Sequence, residues 1–138
     1  SVAYSPDGTH LLSGGDDGSV RVWDAATGAP VHQLSGHTGA VWSVAYSPDG
    51  THLLSGGDDG SVRVWDAATG APAGFTIVIL PGDELAVFDA VSQALAGASE
   101  GAWRWLGWNV VQDGRLICLP AETYGNLPPL RSVAGAER

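Results

Sequence analysis

Three groups of residues have the types and spacing to do chemistry. His37, Ser55 and Asp59 make up the side-chain set of nucleophilic catalysis, in which a carboxylate orients an imidazole and the imidazole takes a hydroxyl proton. Asp16-Asp17-Gly18 and Asp58-Asp59-Gly60 set paired carboxylates beside a glycine, as calcium loops do. Trp103, Trp105 and Trp108 put three aromatic rings within six residues, a platform for a sugar or a peptide. Which of these chemistries is available depends on the elements that carry the residues.

Those elements repeat. Residues 1–30 are identical to residues 43–72, a period of 42 that extends even to Thr9, His10 and Thr27, where packing would tolerate drift. Within a unit the pattern has period two: Trp42, Val44 and Tyr46 alternate with Ser43, Ala45 and Ser47, and Pro48-Asp49-Gly50 makes a turn. Residues 52–56 form the next strand, Asp58-Asp59-Gly60 the next turn and residues 61–65 a third strand that ends on Asp66. In the first unit a weaker fourth strand follows at residues 30–35. Four short strands in about forty residues predict one small antiparallel sheet, apolar on both faces, which must be sandwiched between similar sheets.

Placed on such strands and turns, His37, Ser55 and Asp59 are structural, because a nucleophile needs exposure beside an oxyanion pocket. The Asp pairs lack the alternating ligands and closing Glu of a calcium loop and read as turn residues, so neither a metal nor a cofactor is implied.

Gly36-His37, followed 28 residues later by Trp65-Asp66, resembles the signature of the WD-repeat (WD40) family, with Ser-Pro-Asp-Gly and Ser-Gly-Gly-Asp-Asp-Gly at that family's turns. The resemblance covers residues 1–72 as two blades, 1–35 and 36–72, and implies an all-β fold of β-propeller blades that holds other proteins. It also implies a structural hydrogen-bond relay through His37, Ser55, Asp59 and Trp65. The first unit has Ser13, Asp17 and Trp23 but no Gly-His before them, which leaves a half-relay that stays incomplete or is completed by solvent or another segment.

After Pro72 the letters stop repeating, and residues 73–138 are expected to form a non-repetitive, β-rich C-terminal module. Residues 75–80 are a β-forming run standing where a fourth strand of the second blade is due; Pro81-Gly82-Asp83 is a turn, and residues 85–89 a second strand. Residues 90–98 fit a helical face or a strand, with strand or irregular structure preferred. Residues 109–112, the turn Asp113-Gly114 and residues 115–119 suggest a further hairpin, and residues 124–138 an extended tail. Residues 101–122 resemble a short terminal module that follows the last blade in some bacterial multidomain signalling proteins. The three Trp read first as core of this small module, and Cys118, flanked by Leu116, Ile117 and Leu119, as packing.

Composition narrows the partners. Fifteen Asp and Glu against six basic residues, all Arg, give a net charge of -9, which disfavours nucleic acid and anionic membranes. No apolar run approaches the roughly 20 residues that span a bilayer, and no targeting segment opens the chain, so a soluble, cytoplasmic protein is expected. With no Met at its start, the chain reads as part of something larger. A propeller needs about 4–8 blades, so two blades imply association with further copies, four chains favoured and three possible. The expected function is a non-enzymatic interaction scaffold or sensor with a protein partner still to be identified; the alternative is a multivalent lectin. Trp42, with Trp103, Trp105 and Trp108, is the candidate recognition surface.

Overall fold

The alternating strands, punctuated by glycine turns, fold as antiparallel sheets. The computed structural model describes residues 1–99, Ala102, Leu106 and the backbone strands at 107–112 and 115–120. The first sheet is β1 (Val2–Tyr4), β2 (His10–Gly14), β3 (Ser19–Asp24) and β4 (Pro30–Ser35), paired in chain order. The second begins with β5 (Val41–Tyr46), β6 (His52–Gly57), β7 (Ser61–Asp66) and β8 (Pro72–Leu80), again in chain order. It then continues outward through β9 (Glu84–Asp89) and β10 (Leu95–Ala98) to six strands. β11 (Gly107–Gln112) and β12 (Arg115–Pro120) form a separate hairpin. Among the described residues no helix is long and apolar enough to cross a membrane.

Cross-strand pairing sorts each blade into two faces. Tyr46 opposes Leu53, Leu53 opposes Trp65 and Val44 opposes Ser55; these residues make the front face of the second blade. Leu12 opposes Val22 and Val20 opposes Leu34, which makes the back face of the first. The core is the contact between these two faces: Leu12, Val20, Val22 and Leu34 from one blade meet Val41, Val44, Leu53 and Trp65 from the other. Covering each such Val or Leu contributes about 1.5–3 kcal/mol. Ala86 and Ala98 of the C-terminal strands are also buried, outside this cluster.

Although the letters no longer repeat after Pro72, the geometry does. The pairs Phe75 with Asp89, Thr76 with Phe88 and Ile77 with Val87 reproduce the register of His52 with Asp66, Leu53 with Trp65 and Leu54 with Val64. Asp89 then caps its turn as Asp66 does: its Oδ1 accepts from the Ser92 amide at 2.7 Å and the Ser92 hydroxyl at 2.8 Å, while Asp66 Oδ1 accepts from the Thr69 amide and hydroxyl, both at 2.8 Å. Asp83 (φ 60°) and Gln93 (φ 57°) hold the left-handed conformations that Gly60 (φ 70°) and Gly70 (φ 72°) hold in the second blade. β8 therefore serves both as outer strand of blade two and as the strand on which a diverged hairpin is built. Residues 90–98, open between helix and strand from their letters, make a turn and then β10.

Close approach of the blades falls on glycine. A methyl group at Gly14 would lie 2.6 Å from Val41 Cγ1, whereas at its repeat partner Gly56 the nearest atom is Ser43 Cβ at 4.0 Å. The same substitution in the same sequence context therefore separates the two sites. Gly14→Ala is expected to lower stability by about 1–3 kcal/mol through overpacking, and Gly56→Ala by under about 1 kcal/mol, measured by urea unfolding of each variant.

Candidate functional site

On the front face of the second blade, strands and turn bring four polar side chains into one chain of hydrogen bonds. Trp65 Nε1 donates to Ser55 Oγ at 2.9 Å, Ser55 Oγ lies 2.8 Å from His37 Nε2, and His37 Nδ1 lies 3.0 and 3.1 Å from the two Asp59 oxygens. The ends fix the direction of the outer bonds. Indole N–H only donates and a carboxylate only accepts, so Ser55 Oγ accepts from Trp65 and Nδ1 carries the hydrogen given to Asp59; with the imidazole neutral, Nε2 then accepts from the Ser55 hydroxyl. Asp59 also accepts from the Ser61 hydroxyl at 2.8 Å, the Ser61 amide at 3.0 Å and the Thr38 amide at 3.0 Å. Burial pushes the Asp59 carboxyl up, but the hydrogen bonds from His37, Thr38 and Ser61 together outweigh it and hold the group well below the usual carboxylate range.

This is the connectivity of a catalytic triad without its access. Ser55 is 1 % exposed, and its oxygen is engaged by both the Trp65 N–H and His37 Nε2. A substrate carbonyl cannot reach that oxygen without dismantling the blade, so these residues cross-link strands and turn rather than present a nucleophile. Both Asp59 oxygens are likewise engaged by N–H and O–H donors, which leaves no open carboxylate for an ion.

The first blade, with the same letters, is wired differently. Trp23 Nε1 still donates to Ser13 Oγ at 2.9 Å. Asp17, with no histidine beside it, takes the Arg21 guanidinium at 2.6 Å on Oδ2 and the Ser19 hydroxyl at 2.7 Å on Oδ1. In the second blade Arg63, the partner of Arg21, instead donates from Nε to Ser61 Oγ at 3.3 Å. An exposed ion pair of this kind contributes little, and the Trp23–Ser13 bond and the Asp17 contacts remain two separate sets.

Ser61, Thr38 and Arg21 were not apparent as members of these networks from the letters. The signal for Ser61 is the Asp-Gly-Ser spacing, which lets a carboxylate accept both the amide and the hydroxyl of the residue two positions on. Of the candidate recognition residues, Trp42 is 64 % exposed at a bulge between Val41 and Ser43. Trp103 and Trp105 lie outside the described residues, and Trp108 is described only as a backbone position in β11, opposite Leu119.

With blades, faces and relay in place, the comparisons with known proteins converge on one class. The WD40 family (WD domain, G-beta repeat) matches residues 1–24 and 28–66. The fold is of β-propeller type: the β-propeller domain of Cps50 (Swd1) from Myceliophteria thermophila aligns with a TM-score of 0.54 and 25 % identity, covering 71 % of this chain and 36 % of that one. Among individual proteins, the chain is 51 % identical over 38 residues to the probable serine/threonine-protein kinase PkwA of Thermomonospora curvata, 28 % of this chain and 5 % of that protein. It is 46 % identical over 37 residues to the mouse periodic tryptophan protein 2 homolog, 27 % of this chain and 4 % of that protein. The matched stretch is thus a small fraction of either relative's length. WD40 propellers hold protein partners, and the comparisons lend no support to the carbohydrate-binding alternative.

The two blades provide an internal control on the relay. Ser55→Ala leaves the Trp65 N–H and His37 Nε2 unpaired in a covered site and is expected to lower stability by about 1–3 kcal/mol; Ser13→Ala, beside a half-exposed indole, by under about 1 kcal/mol, both read by chemical denaturation. Because the Asp59 pKa is lower in the folded chain than in the unfolded one, its contribution is complete above the unfolded value of about 4 and is lost as pH falls through the folded value. Asp59→Asn should accordingly flatten the acid side of the stability–pH profile while lowering the plateau at neutral pH.

Proposed function

We propose that this chain is a non-enzymatic interaction scaffold, a two-blade segment of a propeller that completes its ring with further copies of itself, four chains favoured and three possible. The observation that carries the reading is the unequal burial of identical residues. Leu12 is 0 % exposed against the second blade, and its repeat partner Leu54 is 44 % exposed. Large apolar patches of this kind on isolated monomers are rare and mark association sites. Trp42, outside the blade contact, is the position from which one face of the ring would meet a protein partner. The likeness to PkwA favours a bacterial, cytoplasmic setting within a multidomain signalling protein.

The test is solution mass by multi-angle light scattering over a range of concentrations. A discrete species at four or three times 14.1 kDa is expected, and a species that stays at 14.1 kDa would overturn the ring.

A further inference from the structure

The two blades of this chain leave a cleft between them at the end away from Trp42: β5 begins beside Trp42 and ends at Tyr46, which lines the cleft. The rim is two copies of one turn, residues 5–9 between β1 and β2 and residues 47–51 between β5 and β6. The copies lie close together, since a methyl group on Gly50 would meet Pro6 Cδ at 3.6 Å. The cleft holds about 410 Å³, within the roughly 300–1,000 Å³ of small-ligand pockets.

Its polar lining is rich in acceptors. Asp7 Oδ1 accepts from the Ser5 hydroxyl at 2.6 Å, the Thr9 amide at 3.0 Å and the Thr9 hydroxyl at 2.8 Å. Asp49 Oδ1 accepts from the Ser47 hydroxyl at 2.5 Å, the Thr51 amide at 3.0 Å and the Thr51 hydroxyl at 2.7 Å. These bonds hold each carboxyl down at about 2, so both are ionised at neutral pH. All of them fall on Oδ1; among the described residues no donor reaches Oδ2 of either aspartate. The histidines add to the same polarity. Because the Thr9 hydrogen goes to the Asp7 carboxylate, His10 Nδ1 is the donor in its 2.8 Å contact with Thr9 Oγ1, and neutral His10 keeps Nε2 as an acceptor. His32 Nε2 donates to the Ala68 carbonyl at 3.0 Å, so neutral His32 keeps Nδ1 as an acceptor.

Neither described arginine supplies the missing donors. Arg21 pairs with Asp17 and Arg63 donates to Ser61, both at the opposite end of the blades. The remaining walls are an aromatic ring and hydrocarbon. Tyr46 is half-buried, and burial together with the Asp7 charge pushes its hydroxyl up, which keeps it neutral beside the carboxylate. Pro6, Val22 and Val31 line the rest.

A negative cleft with spare acceptors, an aromatic wall and aliphatic sides fits a flat cation that carries several N–H donors on a hydrocarbon stem. We infer that the cleft receives an arginine side chain from an extended segment of a protein partner, its guanidinium donating to Asp7 and Asp49 and its stem lying against Pro6 and Val31. A lysine ammonium is a point donor and matches separated acceptors less well. The inference rests on the scaffold reading for its protein partner but not on the ring, because both sides of the cleft belong to one chain.

The test is an NMR titration of the full chain with an acetylated, amidated glycine-arginine-glycine peptide. Saturable shifts are expected at the Gly8, Gly50 and Ala68 amides. Asp7→Asn and Asp49→Asn keep a carbonyl to cap each turn while removing the charge, and each should weaken binding about threefold to fivefold, the range of an exposed charge pair. Asp16→Asn, the same charge change at an exposed position at the opposite end, should leave it unchanged. The same peptide with neutral citrulline for arginine should produce no saturable shift on the wild type, a comparison that needs no variant to fold. Equal weakening by Asp16→Asn would overturn the site in favour of general attraction to an acidic protein, and equal binding of the citrulline peptide, or no saturable shift at the three amides, would overturn it outright. Agmatine binding as tightly as the peptide would overturn a protein partner as the source of the guanidinium. None of these outcomes depends on the mass measured by light scattering.

Discussion

A sheet of four short strands with apolar side chains on both faces cannot be stable alone in water, and most of this architecture follows from that constraint. Each blade presents Val, Leu and Trp on one side and Val and Leu on the other, so each needs two neighbours. Among the described residues, the cluster of buried Val, Leu and Trp is the contact between the two blades.

The polar relay is a consequence of the same packing. Once the front face of the second blade is covered, Ser55, His37 and the Trp65 N–H are cut off from water and must satisfy one another. Trp65 donates at one end, and Asp59, stabilised as a carboxylate by Thr38 and Ser61, accepts at the other. In the first blade the equivalent face is open and lacks a histidine, and Arg21 settles on Asp17 at the surface. The arrangement resembles a hydrolase triad in its connections and differs in the feature that decides reactivity, which is access to the serine oxygen.

The C-terminal hairpin shows how far geometry can persist after letters diverge. Asp89 and Ser92 cap their turn as Asp66 and Thr69 do, and Phe88 stands where Trp65 stands, although only a few residues match. Letters alone hid this, because the hairpin lacks the repeat's glycines: Asp83 and Gln93 hold the left-handed positions. The strand pattern at 75–80 and 85–89 was legible from β-forming residues around Pro81-Gly82-Asp83. That the hairpin would extend the sheet of the second blade, rather than start a third blade facing it, was not, because edge pairing and face packing draw on the same apolar strands.

By itself the sequence determined the period, the strands within it, the turns and the residues able to form a relay, since each of these depends on local spacing and on side-chain type. It could not distinguish Leu12 from Leu54, Gly14 from Gly56 or Ser13 from Ser55, because thirty residues are identical in the two units. Only the tertiary structure assigned one of each pair to the covered face and the other to the open one. The physical reason is that burial belongs to a neighbour rather than to a residue: in a repeat with two faces, position in the row decides which identical side chain is core and which is interface.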